Sequence, residues 1–430
     1  MRYVTLLLLG VATTFASQAQ PKTHSSLLQL LKANTHPVMQ QVLTDPMTYR
    51  CQVVYTRIDR DKNNTPSFTN YYFNYDPQLY FNPASMVKLP LALLALEKLN
   101  DMNQKGVNKY TTILHDSSYV RQTAAHTDST SANGLPSIAH YIKRAFLISE
   151  NDPYNRLYQF VGQQTIHRSL YSKGYTGVRI SRQFAGYTPE QNRHSNQVRF
   201  LDANGNTIYT QPAAYNADSI DFSRTIFLGQ AHMNRNDSLI QAPFDFTLHN
   251  NLSLVDMQQM LQSVLFPNSV PKHQRFRLTA DDYSFLYRWL SQYPSETDYP
   301  KYDTSLFYDS YVKFFFRDST HRMPPHVRVF NKVGWSYGFL TDVSYVMDTK
   351  NKVEYMLSAT LYVNSDGVLN DGKYDYDAIG YPFLYQLGQT IYQHELQRQR
   401  TYKPNFSRLQ VKYGKRDPKD TRPALKEVDN

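Results

Sequence analysis

Three short runs carry residue types that can move protons and acyl groups. The first is Ser85-Met86-Val87-Lys88, which opens a strongly apolar stretch that reads as a helix. Residues three apart on a helix share a face, so the lysine amine lies beside the serine hydroxyl. The hydroxyl also sits at the positive end of the helix dipole, which favours an alkoxide-like nucleophile. The second run is Ser149-Glu150-Asn151, between two predicted helices. The third is Lys332-Val333-Gly334 on a predicted strand, followed by Trp335, Gly338 and Asp342. Each run alone is common by chance. Their order, and their placement on helix start, loop and strand, make the conjunction specific.

Competing chemistries lack their residues. The 13 histidines show no paired metal spacing such as H-E-x-x-H, and there is no G-x-S-x-G, P-loop or G-x-G-x-x-G run. Neither a metal nor a cofactor is expected. The acidic, glycine-bearing stretch 364–375 lacks EF-hand spacing and reads as a turn. The single cysteine, Cys51, excludes an intrachain disulfide and cysteine-rich metal sites, and in its strand-like context it reads as a buried thiol.

The elements that must position these runs follow from hydrophobic periodicity. Residues 26–43 read as a helix. Residues 52–59 and 67–74 read as a strand pair around a polar turn at 61–64. Residues 85–99 are apolar on nearly all sides, which predicts a central buried helix. Two or three helices are expected over 137–173, and then an irregular stretch over 174–250 with one hairpin at 198–209. Helices follow at 252–265 and 279–290. Strands are expected at 327–333, 338–348 and 353–363, and a closing helix at 375–398. Strands, helices, strands, helix is an α+β order, in which the two groups of strands rejoin in one mostly antiparallel sheet and the middle helices form a separate lobe. The expected organisation is a hydrolase domain over 20–398, with a sheet lobe at 25–82 and 325–398 and a helical lobe at 83–324 carrying insertions near 198–209 and 293–325.

The chain has 430 residues, long enough for a sizeable core, and its 14% aromatic content argues against bulk disorder. Its formal net charge of +10 is concentrated near the C-terminus, where residues 398–430 hold ten Lys and Arg against four Asp and Glu. Global nucleic-acid binding is therefore a poor reading. A basic extension over 399–430, solvated or touching an anionic surface, is the better one. Arg2, the short apolar run 4–12 and Ser17-Gln18-Ala19 read as a secretory signal peptide over 1–19. A periplasmic or secreted monomer without a membrane span is expected.

Taken together, the three runs resemble the signature of the serine β-lactamase and penicillin-binding-protein superfamily, S-x-x-K, S-x-N and K-T-G, with class A-like β-lactamase domains the most similar. The resemblance spans roughly residues 25–398 and rests on 81–99, 146–162 and 329–347. It implies a β-lactamase-like fold with an all-helical lobe and an active site between the lobes. It also implies roles. Ser85 would be acylated, Lys88 would relay its proton, and Ser149 would pass a proton to the leaving nitrogen. Asn151 would hold the substrate's amide side chain, and Lys332 would bind the substrate carboxylate and bias Ser149. The backbone N–H groups of Ser85 and Trp335, the latter just after Gly334, would form the oxyanion hole.

The chain departs from that pattern in three places. Val333 stands where Thr or Ser is usual, which removes a hydroxyl expected to bind the substrate carboxylate, at a cost of about 1.5–3 kcal/mol. Glu150 stands where Asp is common and keeps the charge. The loop glutamate that activates water for deacylation has only Glu190 as a candidate by position, in Glu190-Gln191-Asn192-Arg193-His194, with His where Asn is expected. Without such a base an acyl-enzyme hydrolyses slowly. Three readings stay open: a β-lactam-opening hydrolase, an acyl-serine enzyme acting on cell-wall peptides (D-Ala-D-Ala type) or esters, and a non-catalytic ligand-binding domain.

Overall fold

The computed structural model describes residues 21–428; the leader read over 1–19 lies outside them. The main sheet has five antiparallel strands. Gln52–Arg60 and Pro66–Phe73 come from the first part of the chain, and Val327–Ser336, Phe339–Asp348 and Val353–Tyr362 from the last. The two groups meet where Gln52 lies opposite Thr360 and Tyr55 opposite Leu357. The strand Val327–Ser336 forms one edge of the sheet. The expected α+β architecture, with N-terminal and C-terminal strands in one sheet, is present.

The helices are α1 (Ser25–Lys32), α2 (Pro37–Thr44), α3 (Lys88–Met102), α4 (Ile138–Leu147), α5 (Asn151–Val161), α6 (Gln163–Ser172), α7 (Leu254–Leu265), α8 (Ala280–Ser291) and α9 (Tyr381–Gln397). The expected single helix over 26–43 is two, because proline disfavours helical backbone at the residue before it. The chain breaks at His36, whose Nδ1 accepts from Val38 N at 3.3 Å, and restarts with Pro37 in the first turn.

Side chains alternate across a strand, so each strand feeds two cores. Val53, Val329, Val333 and Leu357 pack under α1, α2 and α9. Val54, Phe330, Tyr345 and Met356 face the helical lobe. With both faces covered, all ten residues of Phe339–Asp348 are buried. Cys51 is fully buried, and desolvation pushes its thiol far above the usual range.

In the helical lobe α3 touches α4, α5, α6 and α7, and its Leu89, Leu91, Leu93, Leu94 and Leu96 are all buried. Burying each such side chain contributes about 1.5–3 kcal/mol. Pro90 falls within the first turn of α3, where its missing N–H would have had no partner. The helix stops at Asn103, which caps it in the left-handed conformation at φ 44°. Residues 174–250 hold the expected hairpin, Val198–Leu201 with Thr207–Gln211, joined by Thr112–His115 as a third strand.

The basic tail is largely exposed but anchored at several points. Phe406 and Leu409 are buried in the core of the helical lobe, with Val411, Leu425 and Val428 against it. Glu395 pairs with Arg398 and Arg400, and Asp420 with Arg422 and Lys301. No described helix is long and apolar enough to cross a membrane.

Candidate active site

The three runs converge between the sheet and the helical lobe. Asn82 begins the approach: its Oδ1 accepts from Ala84 N at 3.2 Å and tightens the turn before α3. Ala84 takes φ 44°, a left-handed conformation that is costly for a residue with a Cβ. A single 3-10 turn, Ala84–Val87, then leads into α3 and brings Ser85 to the cleft. Lys88 lies one turn on. Its Nζ is 2.7 Å from Ser85 Oγ, and it also donates to Asn151 Oδ1 at 2.8 Å and to the carbonyl oxygen of Ser149.

Ser149 and Asn151 arrive on the bend between α4 and α5. Ser149 sits at φ 72° and Asn151 is the first residue of α5. Lys332 comes from the edge strand of the sheet. Its Nζ donates to Ser149 Oγ at 2.7 Å and to the carbonyl of Val333 at 2.7 Å. Ser85, Lys88, Ser149, Asn151 and Lys332 thus form one connected cluster, with the two lysines on either side of the Ser149 hydroxyl.

Both lysines are buried, Lys88 at 0% and Lys332 at 2% exposure. Desolvation holds the Lys88 amine well below the usual lysine range, and the charge of Lys332 adds to the effect. Lys332 is likewise lowered by desolvation, opposed by Asp342 and reinforced by Lys313. A free amine in contact with a serine hydroxyl is the arrangement general-base activation of that serine requires.

Gly334 is needed at its position. A Cβ there would strike the Pro83 carbonyl and come within 3.0 Å of Met86 N. The edge strand can approach the Ser85 turn this closely only with glycine at 334. Trp335, the next residue, lines the same cleft as Ser85, and its ring stands edge-on to Phe314 and Tyr311.

Val333 does not face the cleft. One residue out of step with Lys332, it points to the opposite face of the sheet and is buried under α9 at 1% exposure. The loss of a carboxylate-binding hydroxyl expected from valine at 333 does not apply to a side chain in that layer.

Glu190 is not among the residues hydrogen-bonded in that cluster; its partners are Tyr215 and His194. It is more than half exposed, it lies 3.4 Å from His194 Nε2, and it does not line the cleft that holds Ser85. The residue that faces Lys88 instead is Phe184, whose ring centroid is 5.3 Å from Lys88 Nζ. Phe184 is fixed by its N–H donating to Asn155 Oδ1 at 2.8 Å and by stacking on Tyr154 at 4.4 Å between centroids. No carboxylate lines this cleft of about 210 Å³ among the described residues.

Among the cleft residues that the sequence does not reveal are Phe184, Arg182 and His249. They carry no motif and come from the irregular stretch. Arg182 Nη1 donates to His249 Nε2 at 2.7 Å. Burial, reinforced by Arg182 and Arg179, pushes the His249 ring down to about 3, so it stays neutral and leaves the guanidinium charge uncancelled. Glu150, by contrast, points away from the cleft into a buried cluster, where it accepts from Arg144 Nε at 3.0 Å and from the Tyr302 hydroxyl.

Residues 40–218 match the family model described as beta-lactamase enzyme family. No curated protein matches the sequence. Among solved structures, the chain is similar to a β-lactamase from Burkholderia vietnamiensis, at 12% identity and TM-score 0.48, covering 87% of this chain and 98% of that one. It is similar to one from Sphaerobacter thermophilus at 12% identity and TM-score 0.44, covering 85% and 97%. A β-lactamase from Xanthomonas campestris gives 12% identity and TM-score 0.45, covering 85% and 98%. The match over 40–218 takes in the Ser85 turn and the Ser149 bend, and the fold brings Lys332 to them from beyond it, so this part of the chain is similar to the beta-lactamase enzyme family in the residues that build the cluster.

Proposed function

We propose that the protein is an acyl-serine hydrolase that opens β-lactam rings through an ester on Ser85. The observation that carries this reading is the 2.7 Å contact between Ser85 Oγ and a buried Lys88 amine whose charged form is disfavoured. In the first half-reaction Ser85 Oγ attacks the ring carbonyl while its proton passes to Lys88 Nζ. The ring C–N bond then breaks, and the nitrogen takes a proton from Ser149 Oγ, which the adjacent lysines replenish. The backbone N–H groups of Ser85 and Trp335 are the candidates to hold the developing oxyanion, and such donors supply much of the rate in acyl transfer. In the second half-reaction water attacks the ester and releases the ring-opened acid.

A second reading has its own support. Phe184 takes the place beside Lys88 where a carboxylate could activate water. That favours a cell-wall peptide or ester as the working acyl donor, with slow turnover of β-lactams. The connected cluster of Ser85, Lys88, Ser149, Asn151 and Lys332 speaks against a purely ligand-binding domain. Residues 1–19 support export, to the periplasm or outside the cell.

The test is an intact-mass time course of the protein with benzylpenicillin. One added penicillin mass, mapped to the peptide holding Ser85, is the expected result. No adduct at millimolar drug would overturn the β-lactam reading.

Arg182 gives a prediction about substrate charge. Its guanidinium lines the cleft without a carboxylate beside it, so an acyl donor carrying a carboxylate gains a charge-assisted contact of about 1.5–3 kcal/mol. Arg182→Gln is therefore expected to raise the KM for an anionic substrate by at least about tenfold. An uncharged ester analogue should be handled equally by both proteins. Steady-state kinetics on the matched pair checks this.

A further inference from the structure

The bend that carries Ser149 and Asn151 is held from behind by a chain of contacts that ends in the C-terminal tail. Ser149 keeps a left-handed backbone at φ 72°, and for a residue with a Cβ such a conformation persists only where the surroundings fix it from several sides. Lys88 and Lys332 grip it from the cleft side. On the other side Glu150, the residue between the two site residues, is buried at 1% exposure. One of its oxygens accepts from Arg144, at 3.0 Å from Nε and 2.5 Å from Nη2, and the other accepts from the Tyr302 hydroxyl.

Tyr302 belongs to the segment 293–325, which the sequence presents only as an insertion. It is fully buried, so its ring cannot move without displacing its neighbours. Its backbone is fixed almost wholly by the tail. The Tyr302 carbonyl accepts from Arg416 Nη2 at 2.7 Å. On either side, Leu425 N donates to Lys301 O at 2.7 Å and Asp303 N donates to Leu425 O at 2.9 Å. The same Arg416 also donates to Pro294 O at 2.8 Å and Thr297 O at 3.0 Å. Lys301 Nζ reaches back to the carbonyls of Asp420 and Arg422, each at 2.7 Å. Arg416 of the tail is thus spent on main-chain carbonyls of one segment, and that segment delivers one hydroxyl to Glu150.

We propose that residues 411–428 act as a clamp that sets the geometry of Ser149 and Asn151 through Tyr302 and Glu150, which makes Arg416 and Tyr302 positioning residues. The inference rests on the reading of Ser85 as the acylated group only in its kinetic arm. Tyr302→Phe removes the hydroxyl and keeps the buried ring. Arg416→Ala acts from a partly exposed position in the full chain, so both variants are expected to fold.

The experiment measures two quantities on the wild type, both single variants and the double variant. One is the rate of Ser85 acylation by benzylpenicillin across concentrations; the other is amide hydrogen exchange in peptides covering 147–153. Tyr302→Phe is expected to slow acylation about tenfold with the half-saturating concentration unchanged. Arg416→Ala should act in the same direction by a smaller factor. The double variant should be no slower than Tyr302→Phe alone, because both act along one path. Exchange at 147–153 should quicken in each variant. Multiplying effects in the double variant, or unchanged exchange at 147–153, would overturn the clamp. If the wild type is not acylated at all, the functional reading fails, and exchange alone decides: faster exchange upholds the clamp and unchanged exchange removes it.

Discussion

Lys88→Met is expected to slow acylation of Ser85 by about 10²- to 10⁴-fold, the range that removal of a positioned general base produces. Ser85→Ala is expected to remove the adduct altogether. The lysine amine is 2.7 Å from the serine oxygen, and among the described residues no carboxylate lines the cleft to take over its task. Methionine fills a similar apolar volume, so the variant should fold. It leaves the Ser149 carbonyl and Asn151 Oδ1 without the lysine donor, at a cost of about 1–3 kcal/mol that a melting curve would register. The pH profile separates loss of the base from loss of stability. Burial and Lys332 lower the Lys88 value, so the amine stays free to a lower pH than an ordinary lysine's and carries a proton only below that lowered value. Wild-type acylation should therefore fall in acid, by about tenfold per pH unit once Lys88 is mostly protonated. Lys88→Met should show a low rate without that limb. An unchanged acid limb in the variant would assign the proton transfer to another group.

How much of this was legible in the sequence depends on the range of the interaction. Ser85 and Lys88 are joined by helix spacing, so a four-residue run was enough to pair them. Ser149, Asn151 and Lys332 could be attached through the order of the motifs and the elements that carry them. The two strand groups rejoin as their alternation requires, with Val54 facing the helical lobe and Val53 the opposite core. Parity also decides Val333. The rule that puts Lys332 in the cleft puts its neighbour on the other face. Glu190 is a candidate by loop position alone, and a position in the loop does not say which way the carboxylate faces; it stands exposed beside His194. The tail shows the limit of composition. A count of charges predicts solvation, but Arg416 and Lys301 satisfy main-chain carbonyls, and the carbonyls of a distant segment leave no mark in the sequence. Tyr302 was invisible for the same reason: its partner Glu150 is far away in the chain.

Phe184 leads to the other large effect: the penicillin adduct on wild-type Ser85 is expected to accumulate and persist. Ester hydrolysis needs an activated water, and a missing general base costs about 10²- to 10⁴-fold. The ring beside Lys88 is apolar, its centroid 5.3 Å from the amine, and Glu190 does not line the cleft. In the same intact-mass course, the adduct should rise to one per chain and decay far more slowly than it formed. Phe184→Glu would bring a carboxylate to the cleft wall next to Lys88. It forgoes the stacking on Tyr154, worth about 0.5–1.5 kcal/mol, and at a partly exposed position the fold should tolerate that loss. Two consequences of opposite sign follow. A nearby carboxylate favours the charged form of Lys88, so acylation should slow. The same carboxylate can take a proton from water, so the adduct should hydrolyse at least about tenfold faster. Phe184→Gln has nearly the shape of the glutamate without its charge and should leave the adduct as long-lived as in the wild type. A wild-type adduct too short-lived to detect, with ring-opened product accumulating, would sink this account of Phe184. It would give Lys88, whose amine contacts Ser85 Oγ, the task of activating water as well as the serine.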